Sequence, residues 1–248
     1  MRSFVFAALT ALALTAAPVL AQDAASGVAA YQAGDFKTAA DTFSIMAASR
    51  DPAGYYWLGR LYAEGKGVEQ SDEQAVGLYQ KGADLGNRDA QNALGMSYYN
   101  GAGVAQDKAK GFDLIVKAAD AGSLLAMRNA GEMLLDGDGV AKDSVAGALW
   151  EKKAAETGDA ASENLLAALY YSGEGFDQDY AQAAAWFTKA ANQDDVDAMV
   201  NLAKLYESGK GVTADKKTAQ SWYAKAADKG DNDAATWLVS HASDPELQ

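Results

Sequence analysis

Cysteine is absent from the 248-residue chain. No disulfide can staple the fold, and no thiolate can serve as nucleophile or metal ligand. Histidine is almost absent as well. His241 is the single copy, which excludes a multi-histidine metal centre and leaves zinc without a ligand set. A Ser-His-Asp triad would depend on this one residue near the C-terminus. The phosphate-cradling pattern G-x-x-x-x-G-K-[ST] does not occur. The 34 acidic side chains offer many carboxylate pairs, but none stands out from the background. No catalytic residue, no metal and no cofactor is expected. Positive charge is scarce: 21 Lys and Arg against 34 Asp and Glu leave a net charge of −13. Such a surface repels polyanions, so a nucleic-acid partner is not expected.

Long apolar runs are also lacking, with one exception at the start. Phe4 to Ala17 is apolar except for Thr10 and Thr15, follows Met1-Arg2, and leads to Pro18 and Val19-Leu20-Ala21. This charged, apolar and small-residue order is that of a secretory signal, residues 1–21, with cleavage expected after Ala21. The run is too short to span a bilayer, which takes about 20 apolar residues. Export to the periplasm or medium is expected, without membrane insertion. With no cysteine near the cleavage point, no lipid anchor is expected there either.

What the chain does have is a repeat. G-x-G pairs fall at Gly65/Gly67, Gly101/Gly103, Gly137/Gly139, Gly173/Gly175 and Gly209/Gly211, each step 36 residues. Tyr62, Tyr98, Leu134, Tyr170 and Tyr206 precede them at fixed distance. Val68, Val104, Val140, Phe176 and Val212 follow. Then come Ser71, Asp107, Asp143, Asp179 and Asp215. Next are Leu78, Leu114, Trp150, Trp186 and Trp222, and then Lys81, Lys117, Lys153, Lys189 and Lys225. A period of this size marks a solenoid, in which one unit cannot bury its apolar stripe alone but stacked neighbours can.

Each copy predicts two helices. In the second, Ala90, Leu94 and Tyr98 share one face of a first helix. Gly101 ends it in the left-handed region. Asp107 is placed to cap a second helix, whose inner face is expected at Gly111, Leu114 and Ala118. Gly122 closes the unit. The lysines fall late in each second helix, where positive charge offsets the helix dipole, and the Tyr and Trp columns are expected in the core. The fold class is all-α, an α-solenoid of stacked antiparallel helix pairs. The stretch "LLDGDGVAKD" (Leu134–Asp143) looks at first like the start of a calcium loop. Within the repeat it is an inter-helix turn. Val140 and Gly147 stand where such a loop needs oxygen ligands.

Two stretches, "ALGMSYYNGAGVAQDKAKGFDLIVKAADAG" (Ala93–Gly122) and "NLAKLYESGKGVTADKKTAQSWYAKAADKG" (Asn201–Gly230), carry a family pattern. The chain resembles the Sel-one-like repeat, a relative of the tetratricopeptide repeat. The departures are Leu78 and Leu114 for tryptophan, Ala130 for leucine, Leu134 for tyrosine and Asp194 for a terminal glycine. Five copies are expected over 51–231. Residues 22–50 read as a tetratricopeptide-like helix pair around "YQAGDFKTAADTF" (Tyr31–Phe43), and 232–248 as a C-terminal capping helix and tail.

The resemblance implies a protein-interaction scaffold or adaptor. Exported family members bind and restrain envelope signalling proteins, so a protein partner in the envelope is expected. Some cysteine-rich relatives are linked to β-lactams, which keeps a cell-wall enzyme or a binder of β-lactam or peptidoglycan open as the alternative. Family members line a concave face with first helices. The variable positions there are the candidate contact residues: Tyr56, Trp57, Arg60, Asn92, Met96, Tyr99, Arg128, Glu132, Asn164, Tyr171, Asn201, Lys204 and Glu207. Aromatic, Arg and Asn side chains outside the core suit peptide recognition.

Overall fold

The computed structural model describes residues 16–247. Residues 1–15 of the expected leader lie outside these. Every regular element among the described residues is an α-helix. The chain forms two compact units, one ending at Ser123 and one beginning at Leu124. The first contains α1 (Ala16–Gln32), α2 (Phe36–Ala48), α3 (Pro52–Glu64), α4 (Asp72–Asp84), α5 (Arg88–Asn100) and α6 (Lys108–Asp120). The second contains α7 (Leu124–Asp136), α8 (Ser144–Ala155), α9 (Ala160–Ser172), α10 (Tyr180–Asn192), α11 (Val196–Ser208), α12 (Lys216–Asp228) and α13 (Asn232–Ser240). In each unit a helix packs on the one before it and the one after it, as α4 does on α3 and α5, and α10 on α9 and α11. This is the stacked-hairpin arrangement of a solenoid.

Local chemistry sets the helix ends. The Asp107 carboxylate accepts from the Lys110 N–H at 3.0 Å, and Asp143 does the same for Ala146 at 3.0 Å. A second cap series starts the first helices: Asp51, Asn87, Asp159, Asp195 and Asp231 each accept a free N–H of α3, α5, α9, α11 and α13. These also keep the 36-residue step, and the sequence reading passed over them. Each cap satisfies a donor that would otherwise lack a partner.

The two glycines of a pair do different work, as the last copy makes plain. Gly209 is the left-handed C-cap of α11, with φ 71° and its N–H donating to the Leu205 carbonyl at 2.8 Å. A Cβ there would meet nothing nearer than Ala214 Cβ at 3.2 Å. Gly211 also has positive φ, but a Cβ on it would lie 2.1 Å from the Tyr180 carbonyl oxygen. The second glycine therefore lets the loop lie directly on the start of the preceding repeat's second helix. The loop closes when the Asp215 N–H donates to the Tyr206 carbonyl at 2.9 Å, a bond repeated from Asp143 to Leu134 at 2.9 Å. Leu134–Asp143 is thus the same turn as in the other copies.

Alanine fills the tightest inter-helix positions. Ala90, Ala118, Ala126, Ala154, Ala190, Ala198, Ala226 and Ala234 are fully buried. The inner face of α6 departs from expectation. Ile115 is fully buried, whereas Leu114 is half-buried, and the same holds for Leu78, Trp150, Trp186 and Trp222. That column rides the edge of each second helix, and the residue after it enters the core. The late lysines cover the exposed ring faces: Lys153 over Trp150 at 3.8 Å, Lys189 over Trp186 at 3.3 Å and Lys225 over Trp222 at 3.8 Å. Besides offsetting the dipole, they make cation–π contacts.

Candidate functional site

The candidate residues of the first unit divide into two places. Tyr56, Trp57 and Arg60 belong to an aromatic cluster that joins α3 to α1 and α2. Trp57 stacks on Phe43 at 5.5 Å and meets Tyr31 at 5.5 Å. The Arg60 guanidinium lies 5.0 Å from the Tyr31 ring centre and 5.2 Å from that of Trp57. Its Nε donates to Glu64 at 2.7 Å. Glu64 also accepts from the Tyr31 hydroxyl and pairs with Lys66 at 2.8 Å. Burial pushes the Glu64 carboxyl up, but the hydrogen bonds from Lys66, Tyr31 and Arg60 outweigh it and bring it down to about 2. The positive charges here are already matched, and the cluster's first task is to hold the helices together.

Met96 lies elsewhere, in a cavity of about 220 Å³ whose lining includes Ala63, Asp72, Ala93, Asn100 and Ala102. Tyr99 is half-buried beside it in sequence. Asn92 departs from the expectation of a solvent-facing position: it is only 4 % exposed. Covered in this way one turn before Met96 on α5, it cannot meet a partner directly.

In the second unit, Arg128 and Glu132 are exposed on α7, and Arg128 Nη1 lies 3.8 Å from Asp159. Beneath them is a residue the sequence reading missed. Glu151 of α8 is 1 % exposed, and its Oε2 has no hydrogen-bond partner. A Cβ on Gly131 of α7 would lie 2.4 Å from its other carboxylate oxygen. Burial pushes the Glu151 carboxyl up to about 7. The Arg128 charge opposes this, while Glu132 and Asp159 add to it. The signal was legible: Tyr79, Ile115, Phe187 and Tyr223 occupy this column in the other copies. Asn164 of α9 is half-buried with its Oδ1 buried and unpartnered.

Tyr171, Asn201 and Lys204 are brought together. With Ala168, Phe187, Leu205, Ser208 and Lys210 they line a cavity of about 440 Å³ formed by α9, α10, α11 and the loop after it. Lys210 Nζ donates to the Tyr171 hydroxyl at 3.0 Å and sits 5.1 Å from both the Tyr171 and Tyr180 ring centres. Lys210 is the middle residue of the last G-x-G, in the loop after α11, and was not among the expected contact residues. Glu207 faces away, toward the C-terminal end of the unit. It accepts from the Tyr223 hydroxyl and from the Trp237 Nε1–H, each at 3.3 Å.

His241 is the C-cap of α13, its ring stacked 4.2 Å from Trp237. Its Nδ1 lies 2.9 Å from the Trp237 carbonyl and 2.9 Å from Ser240 Oγ. The carbonyl can only accept, so Nδ1 carries the proton and cannot draw one from Ser240. Among the described residues no helix is long and apolar enough to cross a membrane.

Comparison with known proteins fits this geometry. A model of the Sel1 repeat matches residues 52–87, 88–123, 124–159, 160–195 and 196–231. A protective antigen of uropathogenic Escherichia coli with an SLR fold is 33 % identical, with a TM-score of 0.79 over 90 % of this chain. The match spans only 51 % of that antigen, about half its length. A Sel1 repeat protein from Oxalobacter formigenes is 31 % identical, with a TM-score of 0.77 over 90 % of this chain and 91 % of its own. An immunity protein from Pseudomonas aeruginosa shares the fold at 20 % identity and a TM-score of 0.56, over 85 % of this chain and 82 % of its own. No curated protein matches in sequence.

Proposed function

This chain belongs to the Sel1 repeat family, and from that premise we propose that it is an exported scaffold that holds a protein partner in the bacterial envelope. The observation that carries this reading is the meeting of Tyr171, Asn201 and Lys204 around one cavity. Tyr171 packs on Tyr180 and accepts from Lys210 within the unit, while the polar ends of Asn201 and Lys204 are left for something outside it. Solenoids recognise proteins in this way, by varying side chains on a repeated frame. The reading is of a binding rather than a catalytic protein, and its only histidine, held at the end of α13, is not available as the base of a Ser-His-Asp triad.

The export half of the reading rests on the tripartite pattern of residues 1–21. On this reading the protein meets its signalling or assembly partner in the envelope. A photo-crosslinking residue in place of Asn201 should capture one protein in intact cells. The same residue in place of Lys217, which is exposed at the start of α12, should not. Equal labelling from both positions, or from neither, would end the scaffold reading. Fractionation with mass measurement tests export: the periplasmic form should begin at Gln22, and an uncleaved cytoplasmic chain would refute that half.

A further inference from the structure

We infer that the cavity formed by α9, α10 and α11 binds the carboxylate side chains of an acidic segment of the partner protein; this rests on the scaffold reading above and gives it a chemistry.

The charge balance is the first argument. The chain carries a net −13, and several of its exposed cations are matched: Arg60 and Lys66 by Glu64, Lys142 by Glu174, Lys216 by Asp244, and Lys229 by Asp194. Lys204 and Lys210 both line the cavity, and among the described residues no carboxylate lies within ion-pair distance of either. No acidic residue lines the cavity at all. Two unmatched ammonium groups on one concavity, in so acidic a protein, form a local positive site inside a negative field. Long polyanions are repelled by that field. A short acidic stretch on a protein reaches the site without bringing a continuous backbone charge.

The hydrogen-bonding inventory points the same way. Lys210 gives one of its three N–H donors to the Tyr171 oxygen and keeps two. The Tyr171 hydroxyl, accepting from Lys210, has its own proton to donate. Lys204 makes no side-chain hydrogen bond among the described residues, and the Asn201 amide adds two donors. The Ser208 hydroxyl is spent on the Lys204 carbonyl at 2.7 Å. Charge-assisted bonds from lysine to carboxylate are about twice as strong as neutral ones. The floor is apolar, with Phe187 3 % and Leu205 2 % exposed, and suits the methylenes of a Glu or Asp side chain. A volume of about 440 Å³ lies at the low end of ligand cavities. It admits side chains rather than a folded element.

The molecule contains its own control. Three repeat steps earlier the same position holds the Met96 cavity of the first unit. There Ala63, Ala93, Met96 and Ala102 stand where Tyr171, Asn201, Lys204 and Lys210 stand in the second. That copy is lined by Asp72 and by no lysine. The position is repeated, with about half the volume, and the cations are not.

The test is fluorescence anisotropy of the purified chain with labelled hexaglutamate, with labelled hexaglutamine and inorganic phosphate as controls. Hexaglutamate should bind, hexaglutamine should not, and phosphate should not displace the peptide at equal concentration. Lys204→Met with Lys210→Ala, which installs the first cavity's residues, should weaken hexaglutamate binding at least about tenfold, or about 1.4 kcal/mol. Both side chains are exposed, so the variant should remain folded, with only the small melting shift that loss of the Lys210–Tyr171 hydrogen bond brings. Met96→Ser should leave binding as it was. No hexaglutamate binding, equal binding by the double variant, or displacement by phosphate would each overturn the inference. A partner captured from Asn201 in cells alongside a failed peptide assay would leave the scaffold reading standing and the acidic-segment reading refuted.

Discussion

The Met96 cavity of the first unit and the Lys204 cavity of the second occupy the same place in the repeat and have opposite chemistry. Around the first stand Met96, Ala102 and Asp72. Around the second stand Lys204, Lys210 and Tyr171. Their frames are the same: a left-handed glycine ends the first helix, an aspartate or serine caps the second, and alanines seat one helix against the next. The difference teaches a division of labour. Columns that keep the 36-residue step build a concavity, and columns that drift decide what fits it. Substitutions in the first class should therefore cost stability equally in both units. Substitutions in the second should move binding and leave stability alone.

The largest expected effect falls on the frame. Gly211→Ala forces both a positive φ and a collision with the Tyr180 carbonyl, and should cost about 3 kcal/mol. Gly209→Ala meets only the φ penalty and should cost about 1 kcal/mol. Gly103→Ala, whose Cβ would lie 2.3 Å from the Asp72 carbonyl, should match Gly211→Ala in the first unit. Urea-unfolding midpoints of the three variants rank them. Equal loss from Gly209 and Gly211 would remove the contact from the account.

Next is the position where one copy breaks the frame. The Glu151 carboxyl is raised to about 7 in the folded protein from an ordinary 4.5. Wild-type stability should therefore fall as pH rises from about 4.5 to 7 and level off above, because ionisation is disfavoured only in the folded state. Glu151→Gln should be more stable than wild type by about 2 kcal/mol at pH 8. The gain should vanish near pH 4, where both states of the wild type hold the proton. Thermal unfolding across that range checks it, and a gain that did not change with pH would mean packing rather than charge.

Smaller again, Asp107→Ala and Asp143→Ala should each cost about 1 kcal/mol, because each removes a cap made through one backbone N–H. Unequal melting shifts for the two would show that the units differ in frame as well as lining. The smallest stability effect, within about 0.5 kcal/mol, is expected from Met96→Lys with Ala102→Lys. That pair gives the first cavity the cations of the second and should raise hexaglutamate affinity. If both pairs of lysines bind alike, the frame alone is sufficient; if the graft does not bind, Tyr171 and Asn201 are needed as well.

Much of this was legible because a solenoid writes its packing along the chain. The glycine pairs, the Asp107 series of caps and the first-helix faces at Ala90, Leu94 and Tyr98 all follow from a constant step. The centre of each second helix was misplaced by one residue. Leu114 and Trp186 are larger or more apolar than a surface demands, yet they ride the edge, where lysines shield them, and Ile115 and Phe187 go inside. Periodicity identifies an amphipathic stripe but not which of two neighbouring apolar residues lies on its midline. Asn92 was misread for a related reason. A polar residue in a variable column reads as surface until a neighbouring helix covers it.

The site was less legible than the fold. Tyr171, Asn201 and Lys204 were picked out as variable first-helix residues, but nothing in their spacing joined them to Lys210 in the loop. Arg60 looked like a free contact residue, whereas Glu64 and the rings of Tyr31 and Trp57 already occupy it. Glu151 stood in plain view as the one acid in a column of Tyr, Ile and Phe.

The all-helical fold, its period, the turns and the caps of the second helices were set by the sequence alone, since each follows from side-chain chemistry acting within a few residues. Only the tertiary structure decided which charges are spent and which are spare. That depends on where neighbouring helices set a carboxylate beside an ammonium, and such a distance is not written in any single repeat.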